Sequence, residues 1–174
     1  MEHKTLYKTK WLHLMEMKDP ENGVEGYIYT HSEWAQGEGV AVLGYRDANG
    51  EREYLLRQEI TPCWSMDPSL SSVTGGMDKE GEAPIECAIR ELEEEGGYFC
   101  EDIRKWTSLG TCRLSKASTT VMHLFAVDLT DCERGEAEGD GTELEAKAYC
   151  EWRTDPENAV DALVGTMVFK LGLK

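Results

Sequence analysis

A chain of 174 residues is long enough for one domain with a substantial core, and no apolar run in it approaches the ~20 residues that span a bilayer. The net charge of −16, from 34 acidic and 18 basic residues, argues against long nucleic acids as partners, because such a surface repels their phosphate backbone. The N-terminal residues lack the apolar stretch of a secretory leader, so the cytoplasm is the expected compartment, without membrane contact.

The N-terminal part of the chain predicts an antiparallel hairpin. Residues 5–17 alternate loosely between polar and apolar side chains and run into a turn-like stretch, and residues 26–30 are aromatic and β-branched. These apolar strands precede a domain that could close without them, and such an extension tends to bury itself on a partner. We expect residues 1–38 to be an extension through which two copies form a homodimer, and residues 39–174 to be the main domain.

The next segments predict sheet. Residues 39–45 have the composition of a buried strand, residues 47–50 are a strong turn signal, and residues 53–57 form the returning strand. After a proline-containing loop, residues 71–74 predict a short strand that ends at the glycine pair Gly75-Gly76.

A helix is predicted to follow these strands. Pro84 suits its first turn, and one apolar stripe is formed by Ile85, Ala88, Ile89 and Leu92. Three further strands are predicted at 106–112, 119–129 and 146–152. A helical tail is predicted at 155–171, with a break near Gly165. The order of strands, helix, strands and helix predicts an α/β sandwich with a mixed sheet.

The cysteines give no sign of a disulfide framework or a zinc site. The chain has six, and none forms a C-x-x-C pair. We interpret them as reduced, mostly buried thiols.

The predicted helix places three carboxylates close together. Glu91 and Glu95 lie one turn apart, and Glu94 lies three residues after Glu91. Like charges on one face repel, so the arrangement is unfavourable for the helix alone, and a hard divalent cation such as Mg²⁺ would relieve it. Arg90, four residues before Glu94, can neutralise a carboxylate without occupying that face. The alternative interpretation is a solvated glutamate face on an amphipathic helix.

The residues around these carboxylates favour the metal interpretation. Residues 76–98 resemble the motif of the Nudix hydrolase family, G-x5-E-x7-R-E-U-x-E-E-x-G-U, where U is a bulky apolar residue. Every defined position matches: Gly76, Glu82, Arg90, Glu91, Leu92, Glu94, Glu95, Gly97 and Tyr98. The resemblance implies an α/β/α sandwich that hydrolyses nucleoside diphosphates linked to another moiety.

The resemblance also implies roles for individual residues. Glu91 and Glu95 would be the principal metal ligands, Glu94 would assist, and the backbone carbonyl of Gly76 would complete the set. Glu82 and the arginine of the motif would orient and neutralise these carboxylates. Mg²⁺ is the implied cofactor, and Mn²⁺ is expected to substitute for it.

Segments outside the motif are similar to the ADP-ribose and nucleotide-sugar pyrophosphatase branch of the family. That branch commonly takes a further catalytic glutamate from a loop before the last strand, and Glu143 and Glu145 are the candidates here. They follow the loop Gly139-Asp140-Gly141 as the chain re-enters a predicted strand, where alternating spacing would point both to one face, and Glu145 is slightly favoured because it lies nearer the strand. The alternative is a mobile acidic loop. The sequence departs from the branch at Ile60, where an arginine is usual, and in the absence of a proline at 111–114.

The expected substrate is a small nucleotide, and its binding residues are predicted less directly than the metal ligands. Arg57 and Arg113 are candidates for phosphate contacts, and Tyr29 and Trp34 for stacking on a base. ADP-ribose or a nucleotide sugar is the leading expectation. A nucleoside triphosphate or dinucleotide hydrolase, and a non-catalytic nucleotide sensor, are the alternatives.

Overall fold

The computed structural model describes residues 1–137 and 143–174, apart from the side chain of Glu145. The chain begins with a separate antiparallel sheet in the order β1-β2-β3. Its strands are β1 (Glu2–Lys8), β2 (His13–Asp19) and β3 (Val24–His31), with a 3₁₀ turn at Pro20–Asn22. All seven residues of β1 are exposed, so this strand lies away from the core.

A seven-stranded mixed sheet forms the centre of the molecule. Its main path runs β10-β5-β4-β9-β8, with β6 added to β5 and β7 added to β4. The strands are β4 (Glu38–Ala48), β5 (Glu51–Glu59), β6 (Ser69–Ser71), β7 (Val73–Gly76), β8 (Trp106–Arg113), β9 (Val121–Asp128) and β10 (Tyr149–Arg153). Only β4 and β9 pair in parallel among the pairings of the described strands.

One helix covers each face of this sheet, and strand β4 shows why. Its residues Val40, Ala41, Val42 and Leu43 are fully buried in succession. Because side chains alternate along a strand, Val40 and Val42 pack with the residues of α1 (Pro84–Glu91), and Ala41 and Leu43 pack with those of α2 (Ala162–Leu171). The predicted α/β/α sandwich with a mixed sheet and additional N-terminal antiparallel strands is confirmed.

Helix α1 begins where its sequence predicts, but its C-terminal end is unusual. Pro84 stands in the first turn, and the Glu86 carboxylate accepts a 2.8 Å hydrogen bond from the Ala83 N–H. After Glu91 the helix widens into a π-helical turn over Leu92–Gly96. Gly97 then ends it with a φ of 75°, a conformation that favours glycine.

Three local predictions were wrong. The stretch 5–17 is two strands rather than one, because the Thr9 hydroxyl and backbone close a tight turn onto Leu12. The strand predicted at 146–152 begins only at Tyr149, after a 3₁₀ turn at Glu145–Lys147. The C-terminal helical segment is a 3₁₀ turn at Pro156–Asn158 followed by α2, whose start is set by the Asp161 side chain accepting from Leu163 N–H at 2.8 Å.

No helix within the described residues is both long enough and apolar enough to cross a membrane. A short 3₁₀ turn at Ile103–Lys105 completes the secondary structure that positions the site.

Candidate active site

The end of β7, helix α1 and the π-helical turn surround one cleft of about 340 Å³. Its lining consists of Trp34, Thr74, Gly75, Gly76, Asp78, Arg90, Glu91, Glu94 and Glu95. The structure thus brings together the predicted metal ligands Gly76, Glu91, Glu94 and Glu95 with Arg90 of the motif, and Trp34 borders the same cleft. Such π-helical turns inside α-helices occur frequently at functional sites, and here the turn carries Glu94 and Glu95.

Arg90 is the centre of the charge network in this cleft. Its guanidinium binds Glu82 through two bonds, Nε to Oε1 at 3.0 Å and Nη2 to Oε2 at 3.2 Å. Nη1 also donates to Glu91 Oε1 at 2.7 Å and to Glu94 Oε2 at 3.1 Å. The bonds from Arg90 lower the pKa of Glu82. One arginine therefore holds three glutamates of the motif in a fixed arrangement.

Glu91 is the most buried of the cleft carboxylates, with 8% of its surface exposed. Burial raises its pKa to about 7, although the positive charge of Arg90 opposes this shift. The carboxyl group fits against Gly75, where an added Cβ would lie 1.9 Å from the Glu91 carboxyl carbon. The missing side chain at Gly75 therefore leaves the space that the Glu91 carboxylate occupies. A cation in addition to Arg90 would favour the charged form of Glu91.

Glu95 takes its partners from the sheet. Its Oε1 lies 3.1 Å from Arg57 Nη1, and its Oε2 accepts from the Thr74 N–H at 3.3 Å. Arg57 is only 3% exposed and also pairs with Glu59, Nε to Oε2 at 3.1 Å, while Ser71 donates to the other Glu59 oxygen at 2.8 Å.

Arg57 therefore lies behind the cleft rather than on its surface. The sequence predicts a phosphate contact for this arginine, but the structure buries it against two carboxylates, so it reaches the cleft through Glu95. Nothing in the local pattern Leu55-Leu56-Arg57 indicates this, because the partner is supplied by a helix almost forty residues later in the chain. Asp78, 3.7 Å from Arg90 Nη2, borders the cleft but is not among the site residues predicted from the sequence.

The donor set of the cleft suits a hard divalent cation. Four carboxylates, those of Asp78, Glu91, Glu94 and Glu95, and Gly76 border the same space, and oxygen donors of this kind are those that Mg²⁺ prefers. In the described part of the chain, no three His, Cys, Asp or Glu side chains yet converge on one point. The reason is visible in the ion pairs, since Arg90 holds Glu91 and Glu94 while Arg57 holds Glu95. The residues fit the ion in chemistry and in the space that Gly75 leaves open.

The four predicted substrate residues are divided between different places. Trp34 borders the cleft, packs over Gly76 and meets Trp11 edge to face at 5.5 Å. Tyr29 and Arg113 instead share a second pocket of about 360 Å³ between the N-terminal sheet and the loop after β8. There Tyr29 Oη lies 2.8 Å from His3 Nδ1, and Arg113 Nη1 donates to the Thr119 carbonyl at 2.9 Å.

The late acidic segment is described only in part. Residues 138–142, which include the predicted Gly139-Asp140-Gly141 loop, lie outside the described residues. Glu143 is exposed in a turn, and Glu145 opens the 3₁₀ turn, with its side chain outside the described set. The expectation that both glutamates share one face of a strand was wrong, because the chain turns here instead of extending.

Comparison with known proteins adds two findings to this geometry. The sequence profile described as NUDIX domain matches residues 36–160, more than two thirds of the chain. A solved structure described as an ADP compounds hydrolase superimposes with a TM-score of 0.70 over 99% of this chain and 91% of that one. Its sequence identity is 17%, so the likeness shows the fold. No curated protein matches the sequence.

Proposed function

The chain belongs to the Nudix family of hydrolases, and from this premise we propose that it cleaves the phosphoric anhydride of a nucleoside diphosphate linked to another moiety, with ADP-ribose or a nucleotide sugar as substrate. The observation that carries the proposal is the cleft in which Glu91, Glu94 and Glu95 meet beside Gly76. Phosphoryl-type transfer is mainly positioning and charge stabilisation, so a metal site and an ordered set of carboxylates suffice for it.

The residues that would hold the metal ion are Glu91, Glu94, Glu95 and the Gly76 carbonyl. Mg²⁺ is the proposed ion, with Mn²⁺ as a substitute; when bound, it supplies Lewis-acid stabilisation of charge on the diphosphate oxygens. Arg90 keeps two of these carboxylates in place until the ion arrives. A water that attacks phosphorus also needs a base or an orienting group, and the late segment offers Glu143 and Glu145 for this task.

The substrate class is supported by two features. The structural likeness to the ADP compounds hydrolase extends over almost the whole chain and so includes the N-terminal sheet. Trp34, 40% exposed at the rim of the cleft, offers an aromatic surface on which a base can stack. The acidic net charge of −16 supports a small substrate rather than long nucleic acid.

We also propose a homodimer formed through the extension 1–38. Its sheet exposes several large apolar side chains, namely Leu6, Tyr7, Trp11, Leu12, Leu14, Tyr27 and Ile28. Residues 1–31 hold four lysines and five acidic residues, whereas the whole chain carries −16, so a second copy would meet little net charge on this sheet. All six cysteines are free, which supports a reducing compartment such as the cytoplasm.

A substrate panel read by products tests the proposed function. Release of AMP and ribose 5-phosphate from ADP-ribose, or of the corresponding pair from a nucleotide sugar, is the expected result. Faster release of pyrophosphate or phosphate from nucleoside triphosphates would assign the other hydrolase class, and binding without turnover would identify a sensor.

Variants of the motif residues distinguish hydrolysis at this site from hydrolysis by a contaminating enzyme. Glu91→Gln and Glu95→Gln are each expected to lower kcat by roughly 10²-fold. Glu93→Gln is the matched control, because Glu93 is exposed in the same π-helical turn and does not border the cleft. Equal losses in all three variants with intact folding would contradict the assignment.

A further inference from the structure

Two cysteines outside the cleft, Cys100 and Cys132, lie side by side. Cys100 belongs to the buried core cluster that packs under α1 and is 4% exposed, whereas Cys132 packs against the same cluster and is only partly buried. Burial raises the pKa of the Cys100 thiol, and the charge and hydrogen bonding of the adjacent Cys132 thiol raise it further. An accessible sulfur is thus held next to a protonated, protected one.

A lysine stands beside the accessible sulfur. Lys105 Nζ donates to Cys132 Sγ at 3.4 Å, from the 3₁₀ turn that precedes β8. This bond raises the pKa of Lys105, so its ammonium group is charged at neutral pH. The thiolate is the form of cysteine that reacts with oxidants, and Lys105 places a cation directly beside this sulfur.

We propose that Cys132 and Cys100 are a peroxide-reactive pair, in which Cys132 is oxidised first and Cys100 then closes a disulfide. In the first step the Cys132 thiolate attacks a hydroperoxide, so that an S–O bond forms, the O–O bond breaks and the leaving oxygen takes a proton. In the second step the Cys100 sulfur attacks the sulfenic acid, the S–S bond forms, and water leaves with the Cys100 proton. With hydrogen peroxide, two thiols become one disulfide and two waters form.

The disulfide would join two segments that already touch. Just after Cys132, Arg134 Nε donates to the Gly96 carbonyl at 3.1 Å, and the Gly135 N–H donates to the Gly97 carbonyl at 2.8 Å. These carbonyls end the helical turn that carries the cleft glutamates. A bond from Cys100 to Cys132 would therefore fix covalently the approach of residues 132–135 to the end of that helical turn.

Thiol counting and peptide mapping test the proposal without any substrate, so their outcome does not depend on the proposed hydrolase activity. After treatment with stoichiometric hydrogen peroxide, the protein should lose two of its six free thiols. Mass spectrometry of the digest should show a Cys100–Cys132 linkage, and dithiothreitol should restore all six thiols. The oxidised protein should also melt about 5 to 10 °C higher, because the bond closes a loop of some thirty residues.

Three variants test the roles that the proposal gives to individual residues. Lys105→Gln should slow thiol loss roughly 10-fold, because the ammonium group beside the reacting sulfur is gone. Cys100→Ser should leave a sulfenic acid on Cys132 that dimedone traps. Cys63→Ser is the matched control, because Cys63 is the exposed cysteine and its removal should leave the linkage and its rate unchanged. Oxidation confined to Cys63, or thiol loss without the Cys100–Cys132 linkage, would overturn the proposal.

Discussion

Arg57 Nη1 lies 3.1 Å from Glu95 Oε1, at a point where the arginine is 3% exposed and the glutamate borders the cleft. The sheet thus supplies an internal counterion to a carboxylate of the proposed metal site. Arg90 does the same for Glu91 and Glu94 from the helix side. Two arginines hold the carboxylates in place, one from each element of the site.

Replacement of Arg57 by lysine should lower kcat roughly 10-fold and leave KM for the substrate nearly unchanged. Lysine keeps the charge but lacks the planar guanidinium group that binds Glu59 and Glu95 together. The Glu95 carboxylate would therefore be less well oriented, whereas the residues that line the cleft would be unchanged. Steady-state kinetics measure both constants. Arg52→Lys is the matched control, since Arg52 lies in the same strand with a solvent-exposed partner, Asp47. A raised KM with unchanged kcat would instead place Arg57 in contact with substrate.

Gly75→Ala should disturb the cleft directly. The new methyl group would overlap the Glu91 carboxyl group at 1.9 Å, so that side chain must move; we expect kcat to fall by at least 10-fold and stability by about 1–3 kcal/mol. Activity assays and thermal denaturation check both effects. Gly165→Ala in α2 is the control, because its Cβ would meet open space and alanine favours a helix. A Gly75→Ala enzyme as active as wild type would show that the position of Glu91 is unimportant.

The late glutamates should act in turnover rather than in binding. We expect the double variant Glu143→Gln, Glu145→Gln to lower kcat with little change in KM, the pattern of a group that acts in the transition state. The single variants then show which residue is responsible, and the sequence favours Glu145. Should the double variant keep the wild-type kcat, the segment is a solvated acidic turn and the base must lie among the motif residues.

The N-terminal sheet should form a dimer interface. Light scattering is expected to give about 39 kDa, twice the 19.6 kDa chain. Ile28→Glu should shift the protein toward monomer, because Ile28 is 45% exposed on β3 and a charge there opposes burial. Phe169→Glu, which alters an exposed apolar residue on α2, should leave the dimer intact. A wild-type monomer of about 20 kDa at micromolar concentration would refute the interface.

Local patterns in the sequence predict the sandwich and most of the cleft because both depend on short-range spacing. The apolar stripe predicts only part of the buried side of α1. Ala88 and Leu92 are fully buried, but Ile85 and Ile89 are only partly buried, and Glu91 is buried as well. The wider π-helical turn at Leu92–Gly96 has no such signature, yet it carries Glu94 and Glu95.

Long-range pairing explains what the sequence could not predict. Arg57 reaches Glu95 only because β5 lies between β6 and β10 in the folded sheet, a register that no local pattern contains. The meeting of Tyr29 and Arg113 in a second pocket likewise depends on the contact between β3 and the loop after β8, where the Thr30 N–H donates to the Ala117 carbonyl at 2.8 Å.

Metal dependence of ADP-ribose hydrolysis is the most direct test of the cleft as a catalytic centre. Protein stripped with EDTA and assayed in metal-free buffer should release no AMP, and addition of Mg²⁺ or Mn²⁺ should restore AMP and ribose 5-phosphate together. The Glu93→Gln variant should respond to metal as wild type does, and Glu95→Gln should stay roughly 10²-fold slower at every metal concentration that activates wild type. Full hydrolysis by the stripped protein in metal-free buffer would contradict the account.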